Sequence, residues 1–589
     1  MHKIQAFISK HAQDKFFLYI LSILIGIVTG IAVILLKSST AYIEMLLDYL
    51  NEHAQIDFLY FVFPIIGIGI TVLIIRYVIR RHVGHDGIPR ILYAISRREG
   101  FVEAHNMFSS AITSAFTVGF GGSAGLEGPV VTTGGAIGSQ IARVFKISYR
   151  KRIILIGSAT AAAISAIFEA PIAGIVFALE VMMIDLTTSS LIPLALASIT
   201  GSIISMSFSG QNVLFSYPFV GDESFNLYNI PYYALLGVTT GLVAVYFTQA
   251  YSLVVKFFKR FKYKWQKILI GGVILGLLVF LFPPLYGEGY QSINAVINGD
   301  YSSLFGNTIY KDIPPTAGSV ILLLLLLSVI KPIATTVTFE AGGIGGIFAP
   351  TMFMGAMLGL AFALIVNQTG LFEINPANSI LVGMASLLAS IIQAPLTGIF
   401  LISEITHGYN LMMPLMLSSI ISFGTIRIFH TGSVYTKQLA KRGDLLTHHA
   451  DKNALTLMNV RDLIETNFKT VKPDETLRDI VHLFSVSERN VFPVIDNEQN
   501  LLGIITLDRI RKIMFQTELY DTVTAKELMF VPEVTVQTND SMETVANKIQ
   551  KSGKFNVAVL DENGKYLGFI SRANVFSTYR DLLKEFSAD

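Results

Sequence analysis

From Phe16 to about Phe429 long apolar stretches alternate with short polar ones; from about Val434 to Asp589 the chain reads like an ordinary soluble protein. Residues 16–36 form an uncharged apolar run. About 20 such residues cross the roughly 30 Å hydrocarbon core of a bilayer. The run is too long for the apolar core of a secretory signal, and no small-residue cleavage site follows it, so it reads as a retained first span. The pattern predicts an N-terminal cytosolic segment over 1–15 and a polytopic all-α membrane region over 16–435. A polar linker over 436–455 then leads to an α/β tail of two units, 456–515 and 522–585.

Composition supports that division. Hydrophobic residues make up 52% of the chain and charged ones 15%, against about 25% charged in ordinary globular proteins. A net charge of +2 gives no reason to expect a nucleic-acid partner. The distribution of charge says more. Arg76, Arg80, Arg81, Arg90, Arg97 and Arg98 cluster after the second span, Arg143, Lys146, Arg150, Lys151 and Arg152 before another, and Lys256, Lys259, Arg260, Lys262, Lys264 and Lys267 in mid-chain. Residues 209–228 carry Asp222 and Glu223 and no Lys or Arg. The positive-inside rule puts the clusters in the cytosol and that stretch outside. Cysteine is absent, so no disulfide holds any loop.

The membrane region repeats itself. Gly125, Pro129, Gly134 and Gly138 recur as Gly346, Pro350, Gly355 and Gly359, each 221 positions later. Ala170, Pro171, Gly174, Ile175 and Glu180 recur as Ala394, Pro395, Gly398, Ile399 and Glu404, each 224 positions later. Two ordered blocks, each with a proline, imply two repeats, about 15–208 and 230–430. Transporters built this way bind their cargo near the midplane, between the repeats, at interrupted helices. The candidate interruptions are Gly87-Ile88-Pro89, Gly128-Pro129, Ala170-Pro171, Ala349-Pro350 and Ala394-Pro395. Proline suits the first turn of a helix, glycine lets backbone approach a ligand, and the free N–H groups of a helix start attract anions. Any one such start can be a plain structural device. The glycine-rich pair at 125–129 and 346–350 is the candidate anion site.

The tail has a repeat of its own. Val494-Ile495-Asp496, Leu502-Gly503 and Thr506 recur 65 positions later as Val559-Leu560-Asp561, Leu567-Gly568 and Ser571. Each unit reads as an amphipathic helix (near 477–484 and 542–549), a strand, a turn (496–500 and 561–565), a second strand and a helix.

The membrane motifs resemble the CLC family of chloride channels and proton/chloride exchangers over essentially all of 15–435. They are Gly84-His85-Asp86-Gly87-Ile88-Pro89, Gly125-Leu126-Glu127-Gly128-Pro129, Gly345-Gly346-Ile347-Phe348-Ala349-Pro350 and Tyr435. The tail looks like a CBS-domain pair. The resemblance implies inverted-topology repeats, a multi-pass protein of the plasma or inner membrane with its tail in the cytosol, and a homodimer with one pore per subunit. It also implies that the amides of Ile347 and Phe348 and the hydroxyl of Tyr435 hold the central anion, with Gly87, Gly125, Gly128 and Gly346 shaping the site. Glu127 falls on the gating glutamate: ionised, it takes the place of chloride; protonated, it leaves. An ionisable residue inside a span is a functional candidate by default, whereas Glu169, Glu180, Glu340 and Glu404 serve equally well as structural acids.

Some positions depart from the family's pattern. Asp86 stands where many relatives have a serine that contacts the central anion. An ionised Asp86 would repel chloride, so it must be protonated, turned away, or replaced by His85 in a shifted register. Leu126 replaces a common Arg or Lys. Val181 occupies the place of the inner proton-transfer glutamate; family channels commonly have valine there, but some exchangers also lack the glutamate. In the tail, Thr506 and Ser571 are the hydroxyls that would meet an adenine nucleotide. The Asp that usually follows each by three residues is replaced by Arg509 and Asn574, which leaves nucleotide binding and a purely structural role in dimer packing as alternatives. No cofactor is read from the sequence beyond chloride as the transported ion.

The expected function is therefore chloride transport gated by Glu127, channel-like by Val181, with proton-coupled antiport as the alternative. A CBS-regulated magnesium transporter is more remote: Mg²⁺ needs converging oxygen ligands, and the best-marked pore segments offer one acid, Glu127. The spans supply no metal cluster, nucleophile–base pair or phosphate-binding lysine loop, so an enzyme is not expected.

Overall fold

The structure, a computed structural model, describes residues 15–54, 58–81, 83–84, 87–97, 100–209, 227–306, 310–370, 373–406, 408–430, 432–436 and 458–587. Asp86 and His85, the terminal segment before Lys15, residues 210–226 and the linker over 437–457 lie outside the described residues. The chain divides into two compact units, Met1–Leu445 and Leu446–Asp589.

Among the described residues of the first unit, nine helices are long and apolar enough to cross a bilayer. The first, α1 (Lys15–Ala54), runs well past the apolar stretch 16–36, because residues 37–54 hold neither Gly nor Pro to stop it. The other elements of the first repeat are α2 (Leu59–Leu73), α3 (Ile88–Arg97), α4 (Asn106–Gly119), α5 (Glu127–Val144), α6 (Tyr149–Phe168), α7 (Pro171–Glu180) and α8 (Thr188–Ser209). The second repeat contains α9 (Ile230–Phe258), α10 (Lys264–Leu281), α11 (Tyr290–Ile297), α12 (Ala317–Glu340), α13 (Phe348–Gln368), α14 (Pro376–Ile392), α15 (Pro395–Ile405) and α16 (Met412–Phe429).

The repeated glycines let the central helices pack backbone to backbone. A methyl group on Gly134 or Gly138 of α5 would lie 2.6 Å from the carbonyl oxygens of Ala159 and Leu155 on α6. On α13, Gly355 is pressed in the same way on Gly383 of α14, and Gly359 on Ser379. Small residues are what allow such approach where lipid gives no hydrophobic drive to association. Even the helix ends match: α6 stops at Glu169 (φ 57°) and α14 at Gln393 (φ 58°).

In the second unit, α17 (Leu477–Val486) precedes an antiparallel hairpin of β1 (Val491–Ile495) and β2 (Leu501–Thr506). Thr476 starts α17 with a reciprocal cap to Asp479. In the other half, β3 (Thr535–Gln537) pairs in parallel with β4 (Asn556–Leu560), which pairs antiparallel with β5 (Tyr566–Ser571); α18 (Met542–Ser552) packs alongside. The halves share a small core of Phe468, Val491, Ile504, Ala558 and Phe569, so the two turns expected from sequence lie together, with Asn500 bridging Lys565.

Candidate functional site

The two glycine-rich segments meet. Gly125 donates to the Gly346 carbonyl at 2.9 Å, and Gly346 donates to the Gly125 carbonyl at 2.7 Å, a single antiparallel bridge between the repeats. On either side the contacts are exchanged. Ser123 N–H donates to Thr338 Oγ1 at 3.2 Å, and Ile344 N–H to Thr117 Oγ1 at 3.1 Å. Each donor and acceptor has its counterpart 221 positions away, which is the signature of a two-fold relation between the repeats. The chain can turn here because Gly121 and Gly342 take φ of +89° and +112°, a region closed to most side chains.

Beyond the bridge each segment starts a helix. α5 begins at Glu127 and α13 at Phe348, so Pro129 and Pro350 lie in the third position rather than the first. Proline is tolerated there because the first four N–H groups of a helix have no partner within it. The amides before each proline are among those four, and that of Ala349 acts on the Glu127 carboxylate. Ile347 and Phe348 are buried, as is Tyr435, and all three belong to one continuous apolar core.

Glu127 is fully buried. Its Oε1 accepts from the Tyr290 hydroxyl at 2.9 Å, the Ala349 amide acts on the same carboxylate, and Oε2 has no hydrogen-bond partner. That oxygen lies under the glycine bridge: a methyl on Gly346 would be 3.1 Å from it, and one on Gly125 would overlap it. Gly87 docks on the same helix start, where a methyl would strike Thr132 and the Gly128 carbonyl. The site therefore brings together Gly87, Gly125, Glu127, Gly128, Gly346, Ile347 and Phe348 from three helix starts.

The other proline starts are already filled. Glu404 accepts from the amides of Ile172 (3.0 Å) and Ala173 (2.7 Å) at the start of α7. Glu180 accepts from the amides of Leu396 (3.0 Å) and Thr397 (2.8 Å) at the start of α15. Here the anion is the protein's own carboxylate. Glu340 pairs with Lys267 at 3.9 Å at the end of α12. Val181, just past α7, is buried, and α7 reaches toward the site through Phe177, whose ring lies 5.7 Å from that of Phe348.

Two neighbours of Glu127, and a buried lysine that acts on one of them, escape a reading of the motifs. Glu288 Oε1 accepts from the Leu126 amide at 3.1 Å. Tyr290 holds the gate carboxylate, and Lys331, fully buried on α12, donates to the carbonyls of Leu285 (3.3 Å) and Gly287 (3.2 Å). Lys331 did carry a signal, as a lone cation within an apolar helix. Glu288 and Tyr290 look like ordinary loop residues until the loop is seen to fold inward.

In the tail, the Ser571 hydroxyl donates to Glu465, which also pairs with Arg489 at 3.0 Å. Thr506 precedes a short helical turn without a side-chain cap.

The family model of the voltage gated chloride channel matches residues 66–427, and that of the CBS domain matches 460–516 and 525–583. A putative chloride channel protein of the ClcB-like type from Ralstonia nicotianae is 28% identical over 373 residues, 62% of this chain and 81% of its own. An H⁺/Cl⁻ exchange transporter, ClcA, from Vibrio cholerae is 33% identical over 306 residues, 50% of this chain and 61% of its own. Among solved structures, a slow cyanobacterial Cl⁻/H⁺ antiporter superposes with a TM-score of 0.63 at 23% identity, covering 72% of this chain and 97% of the other. A eukaryotic CLC transporter does so with 0.61 at 19% identity, covering 95% and 97%. The reciprocal repeats, the motif-bearing helix starts and the family match over most of the membrane unit agree: the chain is a multi-pass membrane protein that belongs to the voltage-gated chloride channel family and carries a CBS-domain pair.

Proposed function

We propose that this member of the family transports chloride through the site between α5 and α13, with Glu127 as its gate. One observation carries the reading: the Glu127 carboxylate is buried beneath the Gly125–Gly346 bridge, at one helix start and facing another. Ionised, it competes with chloride for amides such as those of Ile347 and Phe348; protonated, it no longer does. The Tyr435 hydroxyl is the third proposed ligand. In a low-dielectric cavity these dipoles hold a monovalent anion without a cationic side chain.

Passive permeation is the first reading of the transport mode. It rests on Val181, a buried side chain that carries no proton where an inner relay would need one. Proton-coupled exchange is the second, favoured by the names of relatives such as the Vibrio cholerae protein. Chloride flux from proteoliposomes under opposed pH and chloride gradients separates them. A reversal potential that follows chloride alone supports permeation; uphill proton movement driven by chloride supports exchange. Glu127→Gln tests the gate under either reading, and a flux that still responds to pH would remove Glu127 from that role. The CBS pair is proposed to face the cytosol, and the protein to act as a homodimer.

A further inference from the structure

The loop between α10 and α11 turns a carboxylate inward. Gly287 and Gly289 take φ of +56° and +85°, so Glu288 projects between two tight turns toward the start of α5. Its Oε1 on the Leu126 amide places a second carboxylate at the helix start that bears Glu127. The charged and titratable groups coupled to it by charge come from four other elements: Lys37 and Glu44 on α1, Glu127 on α5, Tyr290 on α11 and Lys331 on α12.

Those groups form a graded series. Asp48 is exposed near the end of α1, which the charge distribution assigns to the outer face. Glu44, one turn earlier, is partly buried, as is Glu288, while Glu127 is wholly buried. Glu44 also reaches the loop, since a methyl on Gly287 would lie 3.6 Å from its Oε1. Acidic groups away from water are costly, and three behind the exposed Asp48 exceed what capping one amide requires. The cations that act on Glu288, Lys37 and Lys331, offset its charge when it is ionised, and the Tyr290 hydroxyl, bonded to Glu127, also feels the charge of Glu288.

We propose that Glu288 carries protons between the outer face and Glu127, with Glu44 as the station nearer water. The proton leaves the Glu288 carboxyl and arrives on the Glu127 carboxylate, with the Tyr290 hydroxyl passing one proton on as it accepts another. Glu288 is left ionised beside Lys331 and regains its proton from outer water by way of Glu44. No electron is moved and no co-reactant is needed. The proposal rests on the gating role of Glu127 and adds the route by which that gate senses one side of the membrane.

The test is chloride flux in right-side-out and inverted membrane vesicles, with the pH of each face set separately. Glu288→Gln keeps an oxygen for the Leu126 amide but carries no exchangeable acid proton. It is expected to cut the response to outer pH at least tenfold while the response to inner pH persists, and Glu288→Asp is expected to restore much of the loss. Should Glu288→Gln fail to fold, as read by its elution profile in detergent, Glu44→Gln is expected to give the same one-sided loss. An outer-pH response equal to that of the unsubstituted protein in these variants overturns the proposal. Glu127→Gln keeps the two ideas apart. If it abolishes the response on both faces while Glu288→Gln changes nothing, only the relay fails; if it responds normally, the gate assignment fails and the relay with it.

Discussion

Glu180 and Glu404 stand at the ends of two short helices, and each accepts hydrogen bonds from the first turn of the helix that carries the other. The pairs link the repeats at a second place, away from the glycine bridge. Each carboxylate meets backbone donors that would otherwise lack partners, reinforced by the positive end of the helix dipole.

Replacing either acid should therefore cost stability rather than selectivity. Hydrogen bonds to a charged group contribute about 1.5–3 kcal/mol, so Glu404→Ala or Glu180→Ala should lower the unfolding temperature in detergent. Glu404→Gln, which keeps an acceptor, should lose less. The dependence of chloride flux on pH should persist in all three; its loss would move these acids into the transport machinery.

Gly125→Ala and Gly346→Ala should each disable the gate. The added methyl overlaps or crowds Glu127 Oε2, and forcing extra volume into a packed site costs about 1–3 kcal/mol. Protein yield should fall modestly while flux falls by more than about tenfold. Normal, pH-sensitive flux in Gly125→Ala would show that the carboxylate does not need this space.

Lys331→Met should destabilise the chain, because it leaves the buried Leu285 and Gly287 carbonyls without their donor and removes a cation that acts on Glu288; an unsatisfied buried group costs about 1–3 kcal/mol. The double change Lys331→Met with Glu288→Gln removes the stranded carboxylate and should recover part of the loss. Thermal unfolding of the two variants measures the difference; equal unfolding temperatures would mean the two groups are not coupled.

The tail should loosen in acid. The Asp479 carboxyl is held below its usual range by the Thr476 hydroxyl and amide. Burial pushes Asp540 up, but Lys548 at 2.7 Å and the Gln537 amide outweigh it and hold Asp540 low as well. A depressed carboxyl stabilises the fold above its unfolded value, about 3.9, and that contribution fades as pH falls through the folded value. Hydrogen exchange over 535–552, corrected for intrinsic rates, should accelerate below about pH 4. Asp540→Asn should already exchange faster at neutral pH and change less on acidification.

Much of this architecture was readable in the chain because membrane packing writes itself in glycine and proline. Gly134 and Gly355 could be matched by register alone, since both face a carbonyl that no larger residue would clear. The tail hairpins announced themselves by alternation around 496–500 and 561–565. What could not be read was contact across great sequence distance. Nothing in the spacing says that Gly125 bonds to its own counterpart, or that Glu180 and Glu404 fill two of the helix starts that resemble anion sites. Glu288 was hidden for another reason. An acid between two glycines looks like a solvated turn, and only positive φ at both glycines turns it inward.

The bridge between Gly125 and Gly346 has a consequence for charge. Counted from that bridge, Glu127 in one half of the scaffold and Phe348 in the other occupy equivalent positions. A matched pair of glutamates there would set two negative groups against each other under one roof, and a matched pair of phenylalanines would leave a hole with no valve. The backbone keeps its two-fold pairing while one side chain breaks it, and that broken pairing divides the work: one half supplies the stopper and the other the seat.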